Sequence, residues 1–192
     1  MILTIPKNYH NFKGTKTLNI YSNIAFLLPI LYLVKTTPII DSKLSTKLLL
    51  IHLIMIFSLS SYYHVNPTNK TIIPDMFGVS SITLLTSYIL LDLSIGYLPL
   101  VYLLSGASVY YFKETGNLIP YALILTIPPL FTIYRLWNQG YNRELIIIIS
   151  LLGILRLVEY NDALVYKMTK NTLNGHSLKH IIGSIFFIEV IN

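Results

Sequence analysis

The chain is built from apolar runs, each close to the ~20 residues a helix needs to cross the ~30 Å hydrocarbon core of a bilayer. Seven such runs occupy residues 18–34, 48–64, 75–94, 97–112, 118–134, 144–166 and 176–191. Between them stand the residues that end helices: Thr37-Pro38, Asn66-Pro67, Gly116-Asn117, Gly140 and Asn174-Gly175. In lipid every backbone polar group must be bonded within the protein, which restricts spanning structure to helices and closed barrels. The runs are continuously apolar rather than alternating, so a barrel is excluded. The expected fold is all-α, a polytopic bundle of seven transmembrane helices forming one unit over residues 1–192.

Composition agrees with that class. Hydrophobic residues make up 54% of the chain and charged residues only 11%, with a mean hydropathy of +0.63. A water-soluble domain carries about a quarter charged residues. The net charge of +6 is scattered between the apolar runs, a pattern that suits loops beside anionic headgroups. A nucleic-acid partner is not expected, because that needs a clustered basic patch. With no cysteine, a disulfide framework, a thiolate metal site and a cysteine nucleophile are excluded. The opening Met1-Ile-Leu-Thr-Ile5 is too short for the apolar core of a signal peptide. Lysines and arginines divide almost evenly between the two faces and set no orientation. The sequon Asn69-Lys70-Thr71 lies on the N-terminal face, and glycosylation there would make that face lumenal or extracellular.

An odd number of crossings brings the rare polar residues together. The second run ends on the N-terminal side with Ser60 and His64, and the third begins there with Asp75. The sixth returns there with Glu159 and Asp162, and the seventh begins there with His176 and His180. His176 and His180, spaced i, i+4, project from one helix face about 5–6 Å apart at Cβ. With His64 from another helix they form a three-histidine set, the usual ligand count of a catalytic zinc that keeps a fourth position open. Ser60 shares the face of His64 by the same spacing, within reach of a substrate carbonyl or of water at the metal. Asp75 is placed to take a proton from that water or to orient it.

The other ionisable residues have plainer readings. His52 is expected to be a hydrogen-bonded packing residue, His10 a surface residue and Asp92 an interfacial one. Arg156, Glu159, Asp162 and Lys179 stand in or beside apolar runs, where an isolated charge costs roughly 2.5–3.5 kcal/mol or more. Arg156, Glu159 and Asp162 share a face. They would form a salt-bridge network pinning the sixth helix, or else support the histidines from behind. Pro29 and Pro128-Pro129 are expected to be tolerated kinks.

These residues carry a resemblance. Asn19-Ile-Tyr-Ser22-Asn23 resembles the opening of the alkaline ceramidase-like proteins, and Ser60-Ser-Tyr-Tyr-His64 followed by Pro74-Asp75 resembles their S-x-x-x-H and aspartate. Arg156 to Asp162 and then Gly175-His176-Ser-Leu-Lys179-His180 resemble their closing pair of helices. The likeness runs in order along nearly the whole chain. It extends to a broader superfamily of alkaline ceramidases, progestin/adiponectin-type receptors and GPI-processing proteins. It implies a seven-helix intramembrane zinc hydrolase with His64, His176 and His180 as ligands and with Ser60 and Asp75 at the reaction centre. It also marks one departure. The acidic, calcium-binding N-terminal segment of animal and yeast alkaline ceramidases is replaced by Ile5-Pro-Lys7-Asn-Tyr-His10-Asn-Phe-Lys13-Gly, so no calcium site of that kind is expected.

The expected function is hydrolysis of a membrane lipid amide, ceramide first among candidates, giving a sphingoid base and a fatty acid. A receptor or scaffold of the progestin/adiponectin type is the alternative, and a small transporter a more distant one. A transporter would line a path across the whole membrane with polar residues, whereas here they gather toward one face.

Overall fold

The computed structural model describes residues 15–40 and 42–191, with side chains for all of these except 15, 16 and 142–144. The N-terminal segment on which the expectations for His10 and for calcium rest lies outside the described residues. Among the described residues the regular structure is helical, with no strand. In chain order the helices are α1 (Thr15–Ser22), α2 (Leu27–Thr36), α3 (Leu44–Val65), α4 (Ile72–Leu90), α5 (Leu98–Thr115), α6 (Ile119–Asn138), α7 (Asn142–Tyr160), α8 (Asp162–Met168) and α9 (Gly175–Ile191).

Among the described residues, five stretches are long and apolar enough to cross a membrane: Thr17–Thr36, Leu44–Val65, Ile72–Leu90, Ile95–Thr115 and Ile119–Asn138. Their outer surfaces keep large apolar side chains exposed, among them Leu31, Leu103, Phe131 and Trp137. An apolar exterior on this scale belongs against lipid, and the chain is a multi-pass membrane protein. The sequence led us to expect seven crossings. The sixth and seventh are not of the same kind as the other five: α7 carries charged residues at both ends of its sequence, and α9, at 17 residues, is about 26 Å long at 1.5 Å per residue.

Three departures from the expected spans have local causes. The first span is one stretch but not one α-helix. A 3-10 turn over Asn23–Phe26 joins α1 to α2. Pro29 lacks an N–H and its ring crowds the carbonyl four residues back, at Ala25, which tightens that turn. The third span stops at Leu90 rather than reaching Ser94. Asp92 adopts a left-handed conformation with φ 47°, and the Leu93 N–H closes the end on the Tyr88 carbonyl at 3.2 Å.

The third departure matters most for the site. The sixth span, expected to run unbroken to residue 166, breaks at Asn161. The Asn161 Nδ2 donates to the Leu157 carbonyl at 2.8 Å, sharing that acceptor with the Asn161 backbone N–H at 3.1 Å, a local side-chain bond of the kind found at helix ends. Asp162 then begins a separate short helix, α8.

The buried core is shared by several elements. Phe26, Leu53, Ile56, Ile82 and Phe187 pack together from the first span, α3, α4 and α9. Leu53 is 0% exposed. His52, beside it, behaves as the expected packing residue: its Nδ1 lies 2.8 Å from the Leu48 carbonyl, and its ring stacks on Tyr102 at 5.6 Å between centroids. The α3–α4 turn is closed by Thr71, whose hydroxyl donates to the Asn66 carbonyl at 2.6 Å. That turn sets the distance between His64 and Asp75. Between membrane helices the lost contact is packing, without a transfer term from water. Leu53→Ala is therefore expected to lower the unfolding temperature in detergent, at a cost below the ~2–5 kcal/mol the same truncation carries in a water-soluble core.

Candidate metal centre

His64 lies in the last turn of α3, and His176 and His180 in the first two turns of α9. The ligand atoms of the three rings all lie within 4.8 Å of one another. His64 Nε2 and His176 Nε2 are 3.0 Å apart. Ring centroids are separated by 4.8 Å for His64 and His176, 5.5 Å for His64 and His180, and 4.7 Å for His176 and His180. His64 and His180 are buried. The chain thus brings together the three histidines expected from the sequence.

The set fits a transition-metal ion of the zinc type. Two nitrogens that each bind one ion at ~2.0–2.1 Å stand no more than roughly 4.2 Å apart. The 3.0 Å pair already meets that limit, and rotation of one ring brings in the third. Two imidazole nitrogens at 3.0 Å need a proton or a cation between them, and three rings converging on one point favour the cation. Three protein ligands leave a fourth position open for water or substrate.

Ser60, buried and one helical turn before His64, is hydrogen-bonded across the α3–α4 turn to Asp75 in the first turn of α4. The second carboxylate oxygen, Asp75 Oδ1, is buried and accepts no hydrogen bond. Asp75 is also within electrostatic reach of Lys179 on α9. The two residues predicted for the reaction centre therefore occur as a pair at the end of the bundle that holds the histidines, with one carboxylate oxygen uncommitted.

Three contacts hold the head of α9. Asn174 Oδ1 accepts the Ser177 N–H at 2.6 Å, and Asp162 Oδ1 accepts the His176 N–H at 2.7 Å. Together they satisfy two of the donors a helix leaves unpaired at its start, and the Asp162 charge sits at the favourable end of the helix dipole. The third contact is backbone on backbone. A Cβ added to Gly175 would collide with the Val158 carbonyl oxygen and stand 2.8 Å from Asp162 Cα. Only glycine lets α9 approach the α7–α8 corner this closely.

The charged residues divide between the two expected roles. Glu159 bridges Lys179 at 2.7 Å and Arg156 at 3.2 Å, tying α7 to α9. Asp162 is not part of that network. It supports the histidine helix instead, because the break at Asn161 turns it away from the face it shares in sequence with Arg156 and Glu159.

Sequence reasoning gave no role to four residues that matter here. Asn19 Oδ1 accepts from Asn174 Nδ2 at 3.0 Å and from the Ser177 hydroxyl at 3.1 Å. The Ser22 hydroxyl lies 2.8 Å from His180 Nδ1. Asn174, directly before Gly175-His176, is readable as a helix cap from its type and place. Asn19 and Ser22 are visible as polar residues at i, i+3 within an apolar run and as part of the Asn19-Ile-Tyr-Ser22-Asn23 segment that carries the resemblance, neither of which assigns them a contact.

No family model matches the chain, and neither a curated protein nor a solved structure matches it. What the site does therefore rests on its own chemistry. Gly175→Ala is expected to lower both thermal stability and zinc uptake. Gly183→Ala, whose added Cβ meets nothing closer than 3.9 Å, should change neither. Unfolding curves and metal content of the purified variants make the comparison.

Proposed function

We propose that this chain is an intramembrane zinc-dependent hydrolase that cleaves the amide bond of ceramide-type lipids. In this reading α7 and α9 are the sixth and seventh crossings of a seven-helix bundle. The observation that carries it is the meeting of His64, His176 and His180 beside the Ser60–Asp75 pair, inside a bundle whose outer surface is lipid-facing. A set of three neutral ligands with an acid–base residue close by is the arrangement of a hydrolytic metal centre rather than a structural one.

His64, His176 and His180 would hold the zinc, which when bound would supply Lewis acidity toward the amide carbonyl and the attacking water. Asp75 Oδ1, uncommitted in the structure, takes the proton of the attacking water as the new C–O bond forms. Asp75 then delivers that proton to the amide nitrogen as the C–N bond breaks. Ser60 gives its one hydroxyl proton to the Asp75 carboxylate and so holds it in place. The products are a fatty acid and a sphingoid base.

A lipid substrate suits the surroundings. A cavity of about 70 Å³ lies between α4, α6, α7 and α9, lined by residues including Thr83, Thr86, Thr132, Ile148, Leu152 and Phe186. The hydroxyls of Thr83, Thr86 and Thr132 are bonded to carbonyls of their own helices, so the wall is effectively apolar. It lies eight residues along α4 from Asp75, roughly 12 Å at 1.5 Å per residue. A void of that size holds no more than a short piece of apolar chain, at a depth that suits a molecule whose polar amide sits at the histidines.

The test is purified protein in nanodiscs, assayed for metal content and for release of fatty acid from labelled ceramide. One zinc per chain and turnover are expected. Alanine at His64, His176 or His180 should abolish turnover, and Asp75→Asn should lower it by ~10²–10⁴-fold while zinc stays bound. Bound zinc without turnover on any ceramide would move the reading to a receptor or scaffold of the progestin/adiponectin type. Absence of metal from the wild type would sink it.

A further inference from the structure

The first helix contributes a contact that the hydrolytic scheme does not use. Ser22, the last residue of α1, places its hydroxyl oxygen 2.8 Å from His180 Nδ1 and 3.0 Å from the Asn19 carbonyl oxygen. Two oxygens at 3.0 Å attract only if a proton lies between them, and a carbonyl has none to give. The Ser22 proton therefore points at Asn19, which leaves an oxygen lone pair facing His180. A lone pair on Nδ1 would repel it at that distance. The proton of the neutral imidazole must then sit on Nδ1, and its remaining lone pair is on Nε2. His180 is 4% exposed, so water cannot compete for the contact.

We propose that Ser22 is a positioning residue for the metal centre, selecting the His180 tautomer whose Nε2 is free to ligate and holding the ring in the ligating orientation. The inference rests on the metal reading above and adds to it a residue on a helix that carries no ligand. Asn19 gives the contact a firm base. It accepts the Ser22 hydroxyl through its backbone carbonyl, and its side chain holds Asn174 and Ser177 at the head of α9. The acceptor of the Nδ1 proton and the helix bearing His180 are thus tied to the same residue. A hydrogen-bond acceptor behind a ligating imidazole fixes its tautomer and raises its basicity, and loss of such a partner typically weakens metal binding ~10–100-fold.

The experiment measures zinc affinity by chelator competition on purified protein in detergent, together with the unfolding temperature of the metal-free form. Ser22→Ala is expected to raise the zinc Kd by ~10–100-fold. Ser22→Thr, which keeps the hydroxyl, should stay within about threefold of wild type, a rescue that a purely structural role for the contact would not require. Ring ¹⁵N spectra of metal-free wild type should show His180 protonated at Nδ1. Equal zinc affinity in wild type and Ser22→Ala would overturn the role of Ser22 and leave the metal reading standing. Wild type that binds no zinc would overturn the metal reading itself, a separate result. Should Ser22→Ala fail to fold, the wild-type spectrum decides: a proton on Nε2 in the metal-free protein would overturn the proposal.

Discussion

The close approach of α9 to the corner between α7 and α8 is the contact on which the site depends. Gly175 permits it because any larger residue would meet the Val158 carbonyl. Once the backbones are that close, Asp162 reaches the His176 N–H and Glu159 reaches Lys179. Both interactions fix the rotation of α9 about its axis. That rotation aims two imidazoles one turn apart at His64 of α3. A rigid start to the helix is what places ligands on a side-chain scale, since a shift of about 1 Å in a supporting element is enough to spoil a functional geometry.

The polar residues have an economy imposed by lipid. A buried charge or amide is tolerated where it meets a partner within the protein, and here the partners are shared. Asn19 serves Asn174 and Ser177, Glu159 serves Lys179 and Arg156, and Ser60 serves Asp75. These pairs join α1, α3, α4, α7 and α9 at one end of the bundle. Next to this layer the bundle is held by apolar packing around Phe26, Leu53, Ile82 and Phe187, and Phe26 packs directly on the His180 ring. Directional bonds thus fix the site and shape fixes the packing beside it.

Much of this is legible in order of residues. His176 and His180 are four apart on one helix, and period alone puts them on one face. Ser60 and His64 follow the same rule. The depth of all five site residues follows from counting runs, provided the runs alternate in direction. Other features are hidden. The run that hydropathy reads as continuous breaks at Asn161, whose side-chain amide bonds the backbone one turn back, and hydropathy does not register such local bonding. The consequence for Asp162, which leaves the face of Arg156 and Glu159 to cap another helix, is equally hidden.

What the sequence by itself determined is the class of the protein, a helical multi-pass membrane chain, and the identity of its three clustered histidines. The class follows from composition, and the histidines from the i, i+4 period of His176 and His180 together with the counting of runs that brings in His64. Only the tertiary structure decided which partners stand behind those histidines. Ser22 meets His180 across 158 positions of chain and Asn19 meets Asn174 across 155, and no local rule relates residues so far apart. The meeting depends on how α1 lies against α9. That is a matter of fit in three dimensions.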